Sequence, residues 1–197
     1  MNISAALVKE LREKTGVGMM TCKKALVECD GDIEKSIVYL REQGLAKSSK
    51  LAGRAANQGA VFSYIHQGSQ LGVLVEIACE TDFVSATDQF KELGKNLAMQ
   101  IAASNPACIS REEISEDVLN AEKEVIAAQA RTEGKPDKII ERIVEGRIEK
   151  YYQEQCLLDM EYGRDDSKKV KDIITEVVAT LGENIFVKRY ARFKVGE

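Results

Sequence analysis

The chain has 197 residues and a mass of 21.8 kDa, enough for one ordinary domain with a small appendage rather than a string of domains. Hydrophobic residues make up 44% and charged residues 30%, which excludes the apolar poverty of disordered chains. The 28 Lys plus Arg stand against 32 Asp plus Glu, a net charge of -4 and a pI near 5.3, so wholesale phosphate binding and direct nucleic-acid contact are not expected.

Residues 1–14 carry five charged side chains, all between 9 and 14, and hold no uninterrupted apolar stretch of leader length, so a cytoplasmic protein is expected. Residues 5–44 then read as three short helices. The first opens at Ser4, a good N-cap, aligns Leu7, Val8 and Leu11 on one face, and ends at Gly16-Val17-Gly18. The second carries Cys22, Ala25 and Leu26 at helical spacing and stops at Asp30-Gly31. Asp32 caps a third, which buries Ile33, Ile37 and Leu40 and for which Gly44 supplies a C-terminal stop. So small a unit buries only about 60% of its unfolded surface and leans on a neighbour or a partner. Residues 46–58, cationic and rich in small side chains, suit a connector. This divides the chain into a helical domain with its connector, residues 1–52, and a core, residues 53–197.

Beyond the connector the period changes from 3.6 to 2. Residues 60–66 and 71–79, separated by Gln67-Gly68-Ser69-Gln70, predict a β-hairpin with Leu71, Val73, Val75 and Ile77 on one face. A helix is expected over 87–104, with Phe90, Leu93, Leu97 and Ile101 on one side and Asn105-Pro106 as its stop. Two antiparallel helices, 115–132 and 136–153, are split by Gly134-Lys135-Pro136. A helix over 167–181 carries the stripe Ile173, Ile174, Val177, Val178 and Leu181. The chain closes on a strand with Ile185, Val187, Ala191, Phe193 and Val195 on one face. The expected fold class is α+β: a three-helix N-terminal domain followed by a three-stranded antiparallel sheet packed with helices.

Enzymatic signatures are missing: the sequence has no GxxxxGK[ST], no GxGxxG after a strand, no HExxH and no GxSxG. His66, the one histidine, sits beside a hairpin turn, where a surface role is the commoner one. The five cysteines, at 22, 29, 79, 108 and 156, form no CxxC pair and read as reduced thiols. Asp165-Asp166 suits a solvated helix entry better than a metal loop. Lys188, Arg189, Arg192 and Lys194 suit protection of an edge strand somewhat better than phosphate contact. No catalytic residue, metal site or cofactor is assigned, and the chain is not expected to be an enzyme.

The segment Glu80-Thr81-Asp82-Phe83-Val84, between a strand end and a helix start, admits two readings. Phe83 and Val84 are exposed apolar groups of a contact site, or Phe83 folds back as a staple while Thr81 or Asp82 caps the helix.

Two stretches carry a resemblance. Residues 11–26, LREKTGVGMMTCKKAL, resemble the N-terminal signature of the elongation factor Ts family, and residues 76–84, EIACETDFV, are similar to its second signature, with Ala78 where the family usually has asparagine. Gly134-Lys135-Pro136, residues 144–147 and the terminal RFKVGE are also similar, so the resemblance covers essentially the whole chain. It implies a ubiquitin-associated-like N-terminal domain and a nucleotide exchange factor that contacts the GTPase domain of elongation factor Tu and promotes GDP release. It further implies that Thr81, Asp82, Phe83 and Val84 form a wedge that dislodges Mg²⁺ from that partner, and that Leu11, Arg12, Thr15, Gly16, Met19 and Met20 form the N-terminal contact edge. A further contact is expected at Arg192, Phe193, Lys194 and Val195 of the terminal strand. Short members are similar to one half of the longer members' core and act as homodimers, so a homodimer built on the sheet is expected, without membrane attachment. The competing expectation is a dimeric adaptor whose three-helix domain binds helical or ubiquitin-like ligands.

Overall fold

The computed structural model describes residues 3–197. Helices α1 (Ala5–Thr15), α2 (Met19–Glu28) and α3 (Ile33–Leu51) come first, as their caps dictate. Ser4 accepts a hydrogen bond from the Leu7 amide and Asp32 one from the Lys35 amide, each satisfying an otherwise orphaned N–H of a first turn. Gly16, at φ 67°, closes α1 in the left-handed region with its N–H on the Arg12 carbonyl. Val8, Leu11, Cys22, Ala25, Leu26 and Leu40 form the core of this triad, with Ile3, Leu7, Val17, Ile33 and Ile37 against it.

Gly44 does not stop α3, which continues to Leu51. A lone glycine costs a helix only about 1 kcal/mol, and here its missing side chain is used. An added Cβ would lie 3.1 Å from the Cβ of Ala179, in α8 (Val170–Leu181). Lys47 donates to the Ala179 carbonyl, and Arg41 pairs with Asp172 at 3.2 Å, so both ends of α8 are held to α3.

Strands β1 (Gln58–Ile65), β2 (Leu71–Cys79) and β5 (Phe186–Lys194) form an antiparallel sheet in the order β1-β2-β5. The hairpin turns through Gly68 (φ 89°) and Ser69 (φ 55°), with the His66 amide on the Leu71 carbonyl. Val73, Val75 and Ile77 are buried, as their alternation requires. The same holds at the start of the last strand, where Val187 is buried, but Phe193 and Val195 are exposed, contrary to a continuous buried face.

After β2 come α4 (Asp82–Ser85), a single turn, and α5 (Asp88–Ser104), whose stripe of Phe90, Leu93, Leu97 and Ile101 is buried. Phe90 meets Phe62 of β1 at 5.9 Å between ring centroids, and Gly94 lets the Phe62 ring lie where a Cβ would stand. Helices α6 (Glu116–Thr132) and α7 (Asp137–Gln155) form the expected hairpin. Pro136 occupies the N-cap position of α7, one residue before the first helical position.

The expected helix over 167–181 is shorter at its start. Residues 165–169 instead form β4 (Asp165–Lys169), paired antiparallel with β3 (Glu161–Tyr162). Asp165 accepts hydrogen bonds from the Ser167 amide and hydroxyl, so the acidic pair lies in a strand and not in a helix-entry loop.

The chain separates into two compact units, one of residues 3–62, 75–96 and 172–190, the other of residues 63–74, 97–171 and 191–197. Neither is contiguous in sequence.

Candidate protein-contact site

The Thr81 to Val84 segment combines a helix cap with one exposed apolar side chain. Thr81 caps α4, its hydroxyl accepting from the Val84 amide, so one residue of the segment is a cap. Val84 is buried, 8% exposed, and is not an exposed contact residue. Phe83 does not fold back: it is 82% exposed. In a one-turn helix only one side of the cylinder can face the protein, and Val84 takes that side.

The turn is braced from a distant stretch of sequence. Glu183 accepts the amides of Glu80 and Thr81, both at 3.0 Å, through Oε2, and the Thr81 hydroxyl at 2.6 Å through Oε1. The hydroxyl of Thr81 therefore donates to Glu183 while accepting from Val84. Glu80 in turn accepts the Asn184 amide at 2.8 Å, and Asn184 donates its side-chain amide to the Arg54 carbonyl. Below the turn Cys79 gives its thiol hydrogen to the Thr81 carbonyl, and Thr87 caps the opposite side by donating to the Val84 carbonyl. Burial, aided by the negative charge of Glu183, pushes the Cys79 thiol up from its ordinary value and keeps it neutral. Asp82 is exposed at the first position of α4, where its charge suits the helix N-terminus.

The N-terminal residues divide by burial. Leu11 is fully buried in the triad core, so it supports the expected contact edge without belonging to its surface. Thr15 is half-buried and donates its hydroxyl to the Leu11 carbonyl. Arg12, Gly16, Met19 and Met20 are exposed, the methionines by 41% and 67%. The Gly16 turn lies close to α5: a Cβ there would be 3.6 Å from Nε2 of Gln89, in the first turn after α4. The α1–α2 turn and the helical segment just beyond Phe83 are thus neighbours.

In the other unit Phe193 and Val195 are exposed, and with Ile65, Leu71 and Leu74 they line a shallow groove at the hairpin end of the sheet. Arg192 and Lys194 both pair with Glu197. Lys188 and Arg189 both pair with Glu76, whose carboxyl they hold below its usual range, the Lys188 hydrogen bond contributing most. The basic alternation of the last strand is therefore answered by carboxylates. His66 is exposed, with Nδ1 2.9 Å from the Tyr64 hydroxyl. Among the described residues no three metal-ligating side chains cluster, and no helix is long and apolar enough to cross a membrane. Glu183, Asn184, Arg54 and Gln89 are the structural parts of the site that sequence reading misses. The only nearby signal is Gly182, which marks the end of α8 and hence a turn at 183–184.

A helical triad thus lies beside a bulky apolar side chain exposed on a hydrogen-bonded turn, within an α+β fold. The family model described as Elongation factor TS matches residues 10–197. Among relatives named Elongation factor Ts, that of Thermoanaerobacter sp. (strain X514) is 59% identical over 99% of this chain and 96% of its own. That of Caldanaerobacter subterraneus subsp. tengcongensis is 58% identical over 99% and 98%, and that of Solidesulfovibrio magneticus 53% over 99% and 98%. The chain belongs to the elongation factor Ts family, and its role lies in translation elongation.

Proposed function

We propose that this chain is a guanine nucleotide exchange factor, which binds elongation factor Tu in its GDP form, displaces Mg²⁺ and promotes GDP release so that GTP can enter. The observation that carries the reading is Phe83, 82% exposed on a turn that Glu183 holds by three hydrogen bonds. An exchange factor performs no covalent chemistry. It binds the nucleotide-free state better than the nucleotide-bound one, and by linkage the nucleotide weakens its grip by the same factor.

The magnitudes assign the work. A thousandfold acceleration of release requires lowering the barrier by about 4 kcal/mol. Burying Phe83 supplies about 1.5–3 kcal/mol. The wedge is therefore insufficient alone, and Arg12, Gly16, Met19 and Met20 anchor it, so that binding energy made at the helical triad supports distortion of the nucleotide site. Asp82 orients the loop and perturbs the Mg²⁺ surroundings without capturing the ion, because Mg²⁺ demands six oxygen ligands and this turn offers few. Thr81 and Val84 are the frame: one is engaged by Glu183 and the other is buried.

The working form is a cytoplasmic homodimer. Exposed Ile65, Leu74, Phe193 and Val195 give the sheet an apolar edge for a second copy, and Arg192 to Val195 are then shared between this role and partner contact.

The test loads elongation factor Tu with fluorescent GDP, chases with unlabelled nucleotide and records release with catalytic amounts of this chain. Faster release at substoichiometric protein is expected; unchanged release gives the lead to the adaptor reading.

A further inference from the structure

Cys108 and Cys156 play no part in the contact site, yet they face each other. The residues are 48 positions apart, and the fold brings their Sγ atoms to 3.5 Å, Cys108 donating its hydrogen. They are also partners in an isolated parallel β-bridge. Bridge partners have Cα atoms at the spacing of neighbouring strands, about 4.8 Å, inside the roughly 4.4–6.8 Å that a disulfide spans. The backbone around the pair is fixed: the Ala107 amide donates to the Gln155 carbonyl, the Leu157 amide to that of Cys108 and the Leu158 amide to that of Ile109, all at 2.9–3.0 Å. The Cys108 thiol also has the Gln155 carbonyl within reach, at 3.7 Å, whereas Cys22 and Cys79 donate to carbonyls, of Val17 and Thr81, and neither faces another cysteine sulfur among the described residues.

We propose that Cys108 and Cys156 are a modification site, at which a hydroperoxide converts two buried thiols into an intramolecular disulfide that staples the base of the α6–α7 hairpin. The residues between them, 109–155, contain both helices entire. The Cys108 thiol, the less buried of the two, loses its proton to solvent, and its thiolate attacks one oxygen of hydrogen peroxide. The O–O bond breaks, hydroxide leaves and takes up that proton as water, and Cys108 becomes a sulfenic acid. The Cys156 sulfur then attacks the Cys108 sulfur, the S–O bond breaks, and the leaving hydroxide takes the Cys156 proton. Two thiols and one peroxide give one disulfide and two waters; two electrons pass to the peroxide, and a dithiol reductant reverses the change.

At rest the pair is neutral. Burial raises both thiols, that of Cys156 to about 12, with Asp159 adding to both and Glu113 to Cys108, while Arg111 opposes at Cys156. Reaction therefore goes through the small thiolate fraction and is slow, which suits a response to sustained oxidant rather than rapid turnover.

The test treats the reduced, full-length protein with hydrogen peroxide, quenches with catalase, alkylates the remaining thiols and measures intact mass and a non-reducing peptide map. The expected result is a loss of about 2 Da, with two fewer alkylations and a peptide joining Cys108 to Cys156. The Tm should rise by about 5–15 °C and fall back with dithiothreitol. Cys108→Ala and Cys156→Ala should each abolish the cross-link; should either fail to fold, the wild-type peptide map decides alone. Mass gains in steps of about 16 Da without the link, or a link through Cys29 or between two chains, would overturn the proposal.

Discussion

Phe83 and Glu183 perform separable tasks in one turn. Replacing Phe83 with alanine removes the projecting ring but none of the hydrogen bonds made by Thr81, Val84 or Glu183. Phe83→Ala is thus expected to slow GDP exchange by about 10–100-fold, the equivalent of the lost burial, with a Tm within about 1 °C of wild type because the ring is already in water. Glu183→Gln should do the reverse in order of cause: it replaces a charge-assisted acceptor of three donors, costs about 1.5–3 kcal/mol of stability and slows exchange only through a loosened Thr81. Thermal melts beside exchange assays separate the two, and a Phe83 variant that lost stability would mean that the ring packs on its own chain. Part of this was legible in sequence. Thr81 reads as a cap because a hydroxyl residue precedes the turn, and Phe83 as exposed because no long element is available to bury it. Leu11 shows a conflict resolved by periodicity: its place beside Leu7 and Val8 on one helix face predicts burial, and it is fully buried, whereas the contact edge implied by resemblance puts it outside. Glu183 was not legible, since a single acidic residue after a helix looks like any solvated turn and its targets lie 102 and 103 residues away.

At the scale of elements, glycines decide how closely neighbours approach. Gly94 leaves room for the Phe62 ring, which an added Cβ would overlap. Gly94→Ala gains helix propensity of up to about 1 kcal/mol but forces the ring aside, at about 1–3 kcal/mol of strain. The net expectation is a modest fall in Tm with unchanged helix content by circular dichroism; a rise would show that the ring relocates freely. The same reasoning explains why Gly44 misleads as a helix stop. Glycine at a helix end and glycine at a helix crossing look alike in sequence, and the deciding neighbour, Ala179, is known only from the fold. Strand β4 escapes for a different reason. Its residues, Asp165-Asp-Ser-Lys-Lys169, are polar throughout and half-buried or exposed, so no apolar alternation marks them.

For the molecule as a whole, the acid limb of stability rests on paired carboxylates. Asp159, 5% exposed at its side chain, accepts Nε of Arg111 at 2.7 Å and Nζ of Lys171 at 3.0 Å, while Arg111 also grips Glu149 and stacks on the Tyr152 ring. The Arg111 hydrogen bonds, then that of Lys171, hold the Asp159 carboxyl below its ordinary value of 3.8 against the opposing effect of burial. A depressed folded value means stability that is fully present above about pH 4 and is lost as pH falls through the lower folded value. Asp159→Asn should therefore lower Tm at neutral pH, and the gap from wild type should narrow as pH drops below about 4; a gap constant with pH would show that packing rather than charge holds this residue. The α+β class and the hairpins were legible, because period and turn chemistry act locally. The two interleaved units were not, since nothing in a linear pattern says that residues 172–190 complete a body begun at the N-terminus.

That interleaving bears on how the chain is made. One unit needs residues 172–190 and the other residues 191–197, so neither has all its parts until those residues have been made. A ribosome that has not yet passed residue 172 holds neither unit entire. Products of premature termination lack the Glu183 brace or the last strand, and quality control can tell them from finished protein by the apolar faces left bare.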